Sequence, residues 1–231
     1  MRGIYYFKNS ILKDIPKKEV SLESNIIEDL ISKSRIKGKL INSKFIDIGT
    51  YKNLKIGQLN FYKQFFSPAA FLDRDGVINY DYGYVSDMKQ FKLRKNVIKG
   101  LKILNKKNYN IFIVTNQSGI ARGYYTEYKF LLFYRSIKEY FLKKNCFIND
   151  LQYCPFLKGA KLAKYDKQSK LRKPNDLMIK NLFSKWLINK NKSFMIGDNE
   201  KDKIAAEKSD LYFEFAKKDF YDQIKKILNK S

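Results

Sequence analysis

Phe71-Leu72-Asp73-Arg74-Asp75-Gly76-Val77-Ile78-Asn79 is the stretch whose reading decides the fold. A short apolar run, Ala69 to Leu72, delivers two carboxylates to the end of a strand and into a glycine turn. In an open parallel sheet the carboxyl ends of the strands are where ligands bind, and two acids there can share a divalent cation that screens their repulsion. A bare Asp-x-Asp-Gly also fits an acidic turn with no chemistry. What the rest of the chain brings to the same edge decides between the two.

From Ser67 onward the pattern alternates. The spacing predicts strands at Ala69 to Leu72, Tyr109 to Val114, Leu151 to Tyr153, Phe194 to Ile196 and Leu211 to Phe215. Between them it predicts a helix with Val97, Leu101 and Leu104 on one face, and a longer one with Phe130, Tyr134, Ile137 and Phe141 on one face. Further helices are expected at Met178 to Leu187, through Ala205-Ala206, and from about Asp219. A polar, Lys-rich loop containing Gly159 runs to Pro174. Strands alternating with helices, without hairpin signals, predict an α/β fold: a doubly wound parallel sheet covered on both faces.

Three more strand ends open on the edge that carries Asp73. One is Thr115-Asn116-Gln117-Ser118-Gly119-Ile120-Ala121-Arg122-Gly123, rich in hydroxyl, amide and backbone donors suited to a phosphoryl group. Another is Gly197-Asp198, with Asp202 four residues on, and the loop after the third strand ends in Arg172-Lys173-Pro174. Singly these read as a polar turn, an acidic helix cap and a solvated basic pair. Together, in this order, they form a candidate site.

Composition narrows the chemistry. Histidine is absent from the 231 residues, which removes Ser-His-Asp and Cys-His catalysis and any His-bearing metal site, and leaves acid-base work to carboxylates or Lys. Two cysteines, Cys146 and Cys154, are too few for a disulfide framework and suggest a reducing compartment. The first residues hold no apolar stretch of signal-peptide length and no run approaches a membrane span, so a cytoplasmic protein without a membrane partner is expected. The formal charge of +24 comes mostly from scattered Lys accompanied by abundant Asn, Ile, Phe and Tyr, as A/T-rich codons would produce. It is read as a solvated surface that attracts phosphorylated substrates, and nucleic acid is not the expected partner.

Residues 1–66 read as a short α+β appendage. Ile4 to Phe7 is a strand candidate, and Ile26, Ile27, Leu30 and Ile31 share a helical face. Two β-like runs come next, Lys39 to Ile41 and Lys44 to Ile48, and then a helix with Thr50 as its N-cap. Gly3-Ile4-Tyr5-Tyr6-Phe7, Ser21-Leu22-Glu23 and Phe45-Ile46-Asp47-Ile48-Gly49-Thr50 resemble the C-terminal end of sugar-1-phosphate nucleotidyltransferases. The glycine- and arginine-rich nucleotide loop that begins that fold has no counterpart here. The expected organisation is therefore a remnant at 1–66, left from a fused or truncated nucleotidyltransferase portion or partner, and a catalytic domain at 67–231.

Over 67–231, Asp73-x-Asp75-Gly76, Thr115-Asn116, Lys173 and Gly197-Asp198 resemble the four motifs of the haloacid dehalogenase superfamily of phosphotransferases. Within it, Asp73 to Asn79, Asp81-Tyr82-Gly83-Tyr84-Val85, Thr115 to Gly123 and Arg172-Lys173-Pro174 resemble the D-glycero-D-manno-heptose 1,7-bisphosphate phosphatases. Polynucleotide 3′-phosphatases share the Thr-Asn-Gln-x-Gly-Ile-x-Arg-Gly turn, and histidinol-phosphate phosphatases share the general frame. Arg74 and the Asp81 to Tyr84 string favour the heptose branch, which serves nucleotide-activated heptose for surface polysaccharide.

The resemblance implies roles for named residues. Asp73 is expected as nucleophile and Asp75 as general acid and base. Mg2+ is expected on Asp73, the backbone carbonyl of Asp75, and Asp198. Thr115, Asn116 and Lys173 are expected on the transferring phosphoryl group, Arg172 on a second phosphate, and Asp81, Tyr82, Gly83, Tyr84, Gln117 and Ser118 around the sugar. The chain departs from the family twice. Where many relatives build a zinc loop from Cys-Pro-His and Cys-x-Cys, it has Cys154-Pro155-Phe156 and Ser169-Lys170-Leu171, one thiol of about four ligands, so no zinc is expected. Asn199 stands where relatives often carry Lys, which makes its contact to the substrate phosphate weaker.

Overall fold

The fully apolar runs Ala69–Leu72 and Phe194–Gly197 are long enough only for strands and have no polar face to give to water, so they must lie inside a sheet covered on both sides. In the computed structural model, which describes residues 5–16, 18–38 and 46–230, they do. The chain divides into two compact units, Met1–Ser43 and Lys44–Ser231.

In the first unit, a π-helical turn at Leu22–Ile27 leads into α1 (Glu28–Ser32). Ile27 and Leu30 are buried there, whereas Ile31, expected on the same face, is 53% exposed. Ile31 keeps the i+4 spacing from Ile27, but it lies in the last turn of a five-residue helix, at the edge of what the buried face covers. Tyr5 to Phe7 form no strand and stack their two outer rings instead. Ile4, Lys39 to Ile41 and Lys44-Phe45 lie outside the described residues, and Ile46 to Ile48 are not in a strand.

The second unit begins before the break expected at residue 66. Its first helix is α2 (Tyr51–Phe65), capped by the Thr50 hydroxyl, which accepts from Asn53 N at 3.1 Å. Ile46 and Ile48 lie against Gly57 of α2, and beyond the helix the Ser67 backbone pairs with Leu187 and Asn189.

The strands and further α-helices are β1 (Ala69–Leu72), α3 (Val97–Lys106), β2 (Asn110–Asn116), α4 (Ser118–Ala121), α5 (Glu127–Lys143), β3 (Asp150–Cys154), α6 (Leu177–Lys185), β4 (Phe194–Gly197), α7 (Glu200–Lys208), β5 (Tyr212–Phe215) and α8 (Phe220–Lys230). Among the described residues the five strands form one parallel sheet in the order β3-β2-β1-β4-β5. Strand alternation sends Ala70, Leu72, Ile111 and Ile113 to a core with α3, α5 and α8, and Ala69, Phe71, Phe112 and Val114 to one with α6 and α7. The connection from β3 to β4 crosses over β2 and β1, so the strand order reverses beside β1. That reversal opens a crevice at the carboxyl end of β1, where Asp73 sits.

Candidate active site

Asp73 leaves β1 still tied to the sheet, its N–H donating to the Ile196 carbonyl at 3.0 Å. The turn after it is possible only because residue 76 is glycine. Gly76 has φ +78, and a Cβ there would collide with the Asp198 carboxylate. The missing side chain lets the end of β4 bring Asp198 against the Asp73 turn. One carboxylate oxygen from each of Asp73, Asp198 and Asp202 falls within 4.8 Å of the others, a group able to hold a cation.

Lys173 counters this crowd from below. Its Nζ, on a 2% exposed side chain, lies 2.5 Å from Asp202, 3.1 Å from Asp73 and 2.7 Å from the Val114 carbonyl. All three ammonium donors are thus used, as a buried charge requires. Burial works against that charge, but Asp73 and Asp202 outweigh it and hold the lysine above its ordinary pKa. Burial pushes the Asp73 carboxyl up to about 7, with Lys173 pulling the other way and Asp202 and Asp75 adding to the rise. Asp198 is raised too, by burial and by Asp202. Hard oxygen donors that are costly to ionise together suit a small divalent cation.

Asp75 points elsewhere. Arg74, 1% exposed, folds its guanidinium back onto its neighbour, Nε donating at 3.1 Å and Nη2 at 2.7 Å, while Nη2 also reaches the Val85 carbonyl. Asn79 donates to Asp75 at 2.9 Å and Gln117 at 3.3 Å. The rings of Phe130 and Phe133 face the guanidinium at 5.7 and 5.3 Å. The two carboxylates, two residues apart, therefore have different surroundings: Asp73 shares Lys173 with Asp202, and Asp75 is held by a fork and two amides.

An open cavity of about 430 Å³ covers this edge, and Asp73, Asp75, Asp81, Tyr84, Thr115, Ser118, Arg172, Lys173, Asp198 and Lys201 are among the residues that line it. The model matching residues 73–226 is that of the polynucleotide kinase 3 phosphatase family. The chain is 35% identical over 162 residues to a D-glycero-beta-D-manno-heptose-1,7-bisphosphate 7-phosphatase of Rhodopseudomonas palustris, covering 70% of this chain and 90% of that one. It is also 35% identical over 142 residues to the alpha-anomer 7-phosphatase of Photorhabdus laumondii, covering 62% and 78%. This chain is a haloacid dehalogenase-type phosphatase. The crystal structure of the D,D-heptose 1,7-bisphosphate phosphatase of B. bronchiseptica, complexed with magnesium and phosphate, shares the fold at TM-score 0.63 and 17% identity, over 71% of this chain and 99% of that one.

Within this phosphatase the expected site residues divide by what their side chains do. Asp73, Asp75, Asp81, Gly83, Tyr84, Thr115, Asn116, Gln117, Ser118, Arg172, Lys173, Asp198 and Asn199 all line the cavity, whereas Tyr82 does not. Tyr82 is 60% exposed, 6.2 Å from the Tyr80 ring and beneath Lys92. The Asn116 amide is spent on the backbone of Lys173, donating to its carbonyl and accepting from its N–H, both at 3.1 Å, so it braces one loop against another. Gln117 is buried and links Thr115 and Asp75 to the Tyr125 hydroxyl. Asn199 caps α7 and accepts from Lys201 N at 3.1 Å.

The sequence expectations gave no role to Lys201 or Tyr125, and they noted Asp202 only as a helix cap. Asp202 does cap, since Asp198 N and Asn199 N donate to its Oδ2 at 3.2 and 3.1 Å, but its Oδ1 also holds Lys173. The i, i+4 spacing leaves Asp198 just before the Asn199 cap and puts Asp202 in the first turn of α7. Only the approach of Lys173 gives the second acid its other partner.

Proposed function

We propose that this protein is a Mg2+-dependent phosphatase that removes the 7-phosphate from D-glycero-D-manno-heptose 1,7-bisphosphate, in the cytoplasm, on the way to nucleotide-activated heptose. The observation that carries this reading is the convergence of Asp73, Asp75, Thr115, Lys173 and Asp198 on one sheet edge, under a cavity with a further cation, Arg172, at its side. The names of the relatives supply the substrate.

The residues fit the reaction atom by atom. Asp73 attacks phosphorus, an O–P bond forms to its carboxylate, and the bond from phosphorus to the sugar oxygen breaks. Asp75 gives its proton to the departing oxygen, then takes one from the water that attacks the aspartyl-phosphate and frees Asp73 and inorganic phosphate. The Thr115 hydroxyl accepts from Gln117 at 2.8 Å, which leaves its own proton to donate toward the phosphoryl group. Lys173 supplies fixed positive charge beside the nucleophile. Asp73 and Asp198 are the side chains that would hold Mg2+, whose charge would neutralise that of nucleophile and phosphate. Asp202 is engaged by Lys173 and by backbone N–H groups. Arg172 offers a bidentate fork to the substrate's other phosphate.

Residues 1–66 lie outside the matched family region, which begins at residue 73, and their reading as an appendage derived from a nucleotidyltransferase rests on the sequence resemblance alone. A second reading, a polynucleotide 3′-phosphatase, is favoured by the family model's description and by the charge of +24. One experiment separates the two. Phosphate release is measured with Mg2+ from both anomers of heptose 1,7-bisphosphate and from a 3′-phosphorylated oligonucleotide. Faster turnover of a heptose bisphosphate, abolished in Asp73→Asn, is expected. Faster turnover of the oligonucleotide overturns the substrate, and full activity of Asp73→Asn overturns the mechanism.

A further inference from the structure

The loop from Pro155 to Lys173 carries Arg172 and Lys173 into the cavity, yet its only regular element among the described residues is one 3-10 turn at Ala163–Tyr165. Something must hold it, because an arginine on a loose loop loses the advantage of a rigid fork. The two buried or half-buried tyrosines at its root and middle share one acceptor. Tyr153, at the end of β3, donates its hydroxyl to Glu127 Oε1 at 2.8 Å, and Tyr165 donates to Glu127 Oε2 at 2.9 Å.

The contact continues toward the site. Tyr165 is 8% exposed and packs with Ile120, Ala121, Tyr125 and Phe130, the cluster beneath the loop. Its ring meets that of Phe156 at 6.0 Å, and the Phe156 carbonyl accepts from Arg172 Nη1 at 3.3 Å. Leu157 N donates to the Tyr165 carbonyl at 3.1 Å, and Gly159 N to Asp166 at 2.7 Å, which closes the loop on itself. Glu127 stands in the first turn of α5, the helix capped by Thr126, so the acceptor is fixed to a rigid element. A charged acceptor taking two phenol donors makes stronger bonds than neutral pairs would.

We propose that Glu127 is a positioning residue: by fastening Tyr153 and Tyr165 it sets the place of Phe156, and through the Phe156 carbonyl the aim of Arg172 at the substrate's second anionic group. The proposal rests on the reading that Arg172 meets a second phosphate. Glu127 touches no reacting atom, so its loss should fall on substrates that use Arg172 and spare those that do not.

The test uses the full chain with Glu127→Ala, Tyr165→Phe and the double variant, on heptose 1,7-bisphosphate and on p-nitrophenyl phosphate, which has one phosphate only. Glu127→Ala is expected to raise KM for the bisphosphate about tenfold, the scale of one charge-assisted hydrogen bond, with kcat and the p-nitrophenyl phosphate constants within about twofold of wild type. Tyr165→Phe should give part of this, and the double variant no more than Glu127→Ala, because both remove one linkage. Trypsin should cut at Lys158 to Lys170 faster in Glu127→Ala. Equal losses on both substrates, or additive effects in the double variant, overturn the proposal. If the wild type cleaves p-nitrophenyl phosphate and no heptose bisphosphate, the substrate reading fails by itself. The linkage is then judged by trypsin alone, with faster cleavage keeping it and unchanged cleavage overturning it.

Discussion

Replacing Lys173 by Met removes one charge and three hydrogen-bond donors while keeping nearly the same side-chain length, so the packing term is small. The damage is to two carboxylates, Asp202 and Asp73, that lose an ammonium at 2.5 and 3.1 Å, and to a Val114 carbonyl that loses its donor at 2.7 Å. Breaking one side of a buried ion pair costs about 3–5 kcal/mol, and the orphaned carbonyl adds about 1 kcal/mol. Asp73 limits the loss by taking up a proton, which burial already favours there. The expected net loss at pH 7.5 is about 3–4 kcal/mol, or a fall in Tm of about 6–16 °C for a domain of this size. Urea unfolding in the presence of a chelator measures it. The deficit should narrow at pH 5.5, below the raised pKa of Asp73, where that carboxyl no longer needs a counter-charge. Lys173→Met combined with Asp202→Asn should lose less than the sum of the single variants by about 1 kcal/mol or more. A Lys173→Met protein within about 1 kcal/mol of wild type at pH 7.5, or a deficit that widens at pH 5.5, refutes the reasoning.

Two further outcomes arise from carboxylates in opposite environments. Burial pushes Asp73 up to about 7 against the pull of Lys173, and a cation needs it ionised, so Mg2+ affinity should fall about tenfold per pH unit below 7 and level off above it. Calorimetric titration from pH 6 to 8 reads this, and a flat profile counts against it. Burial works against the charge of Glu214, but donors from Tyr212, Lys217 and Gln223 outweigh it and hold the carboxyl at about 2. A depressed carboxyl adds stability that is present above its ordinary value near 4.5 and lost as pH falls toward 2. Glu214→Gln should therefore be less stable by about 2 kcal/mol at pH 7, with the difference closing as the pH approaches 2 in urea titrations.

Local pattern made the second unit legible. Each of the five strands was expected to within one or two residues, because period-two burial and short apolar runs bounded by polar turns leave few alternatives. The expected apolar faces of α3 and α5 hold for the same reason, with Val97, Leu101, Leu104, Phe130, Ile137 and Phe141 all buried. Ile31 failed because, in the last turn of a five-residue helix, spacing alone does not reveal where the covered face ends. Short α4 was hidden inside a turn read only for its donors.

By itself the sequence determined that two carboxylates leave a buried strand together, that hydroxyl, cationic and acidic groups end neighbouring strands, and that no histidine can take over their work. These come from strand alternation, from the parallel connections that send all strand ends to one edge, and from composition. Only the tertiary structure decided which of those groups touch. Lys173 chooses Asp202 as well as Asp73, Asn116 spends its amide on the Lys173 backbone, Tyr82 turns away from the cavity, and Glu127 reaches under a loop that begins beyond the next strand. The physical reason is burial. A charge removed from water must find partners from whatever segments the fold brings within about 3 Å, and sequence spacing does not encode which segments those are.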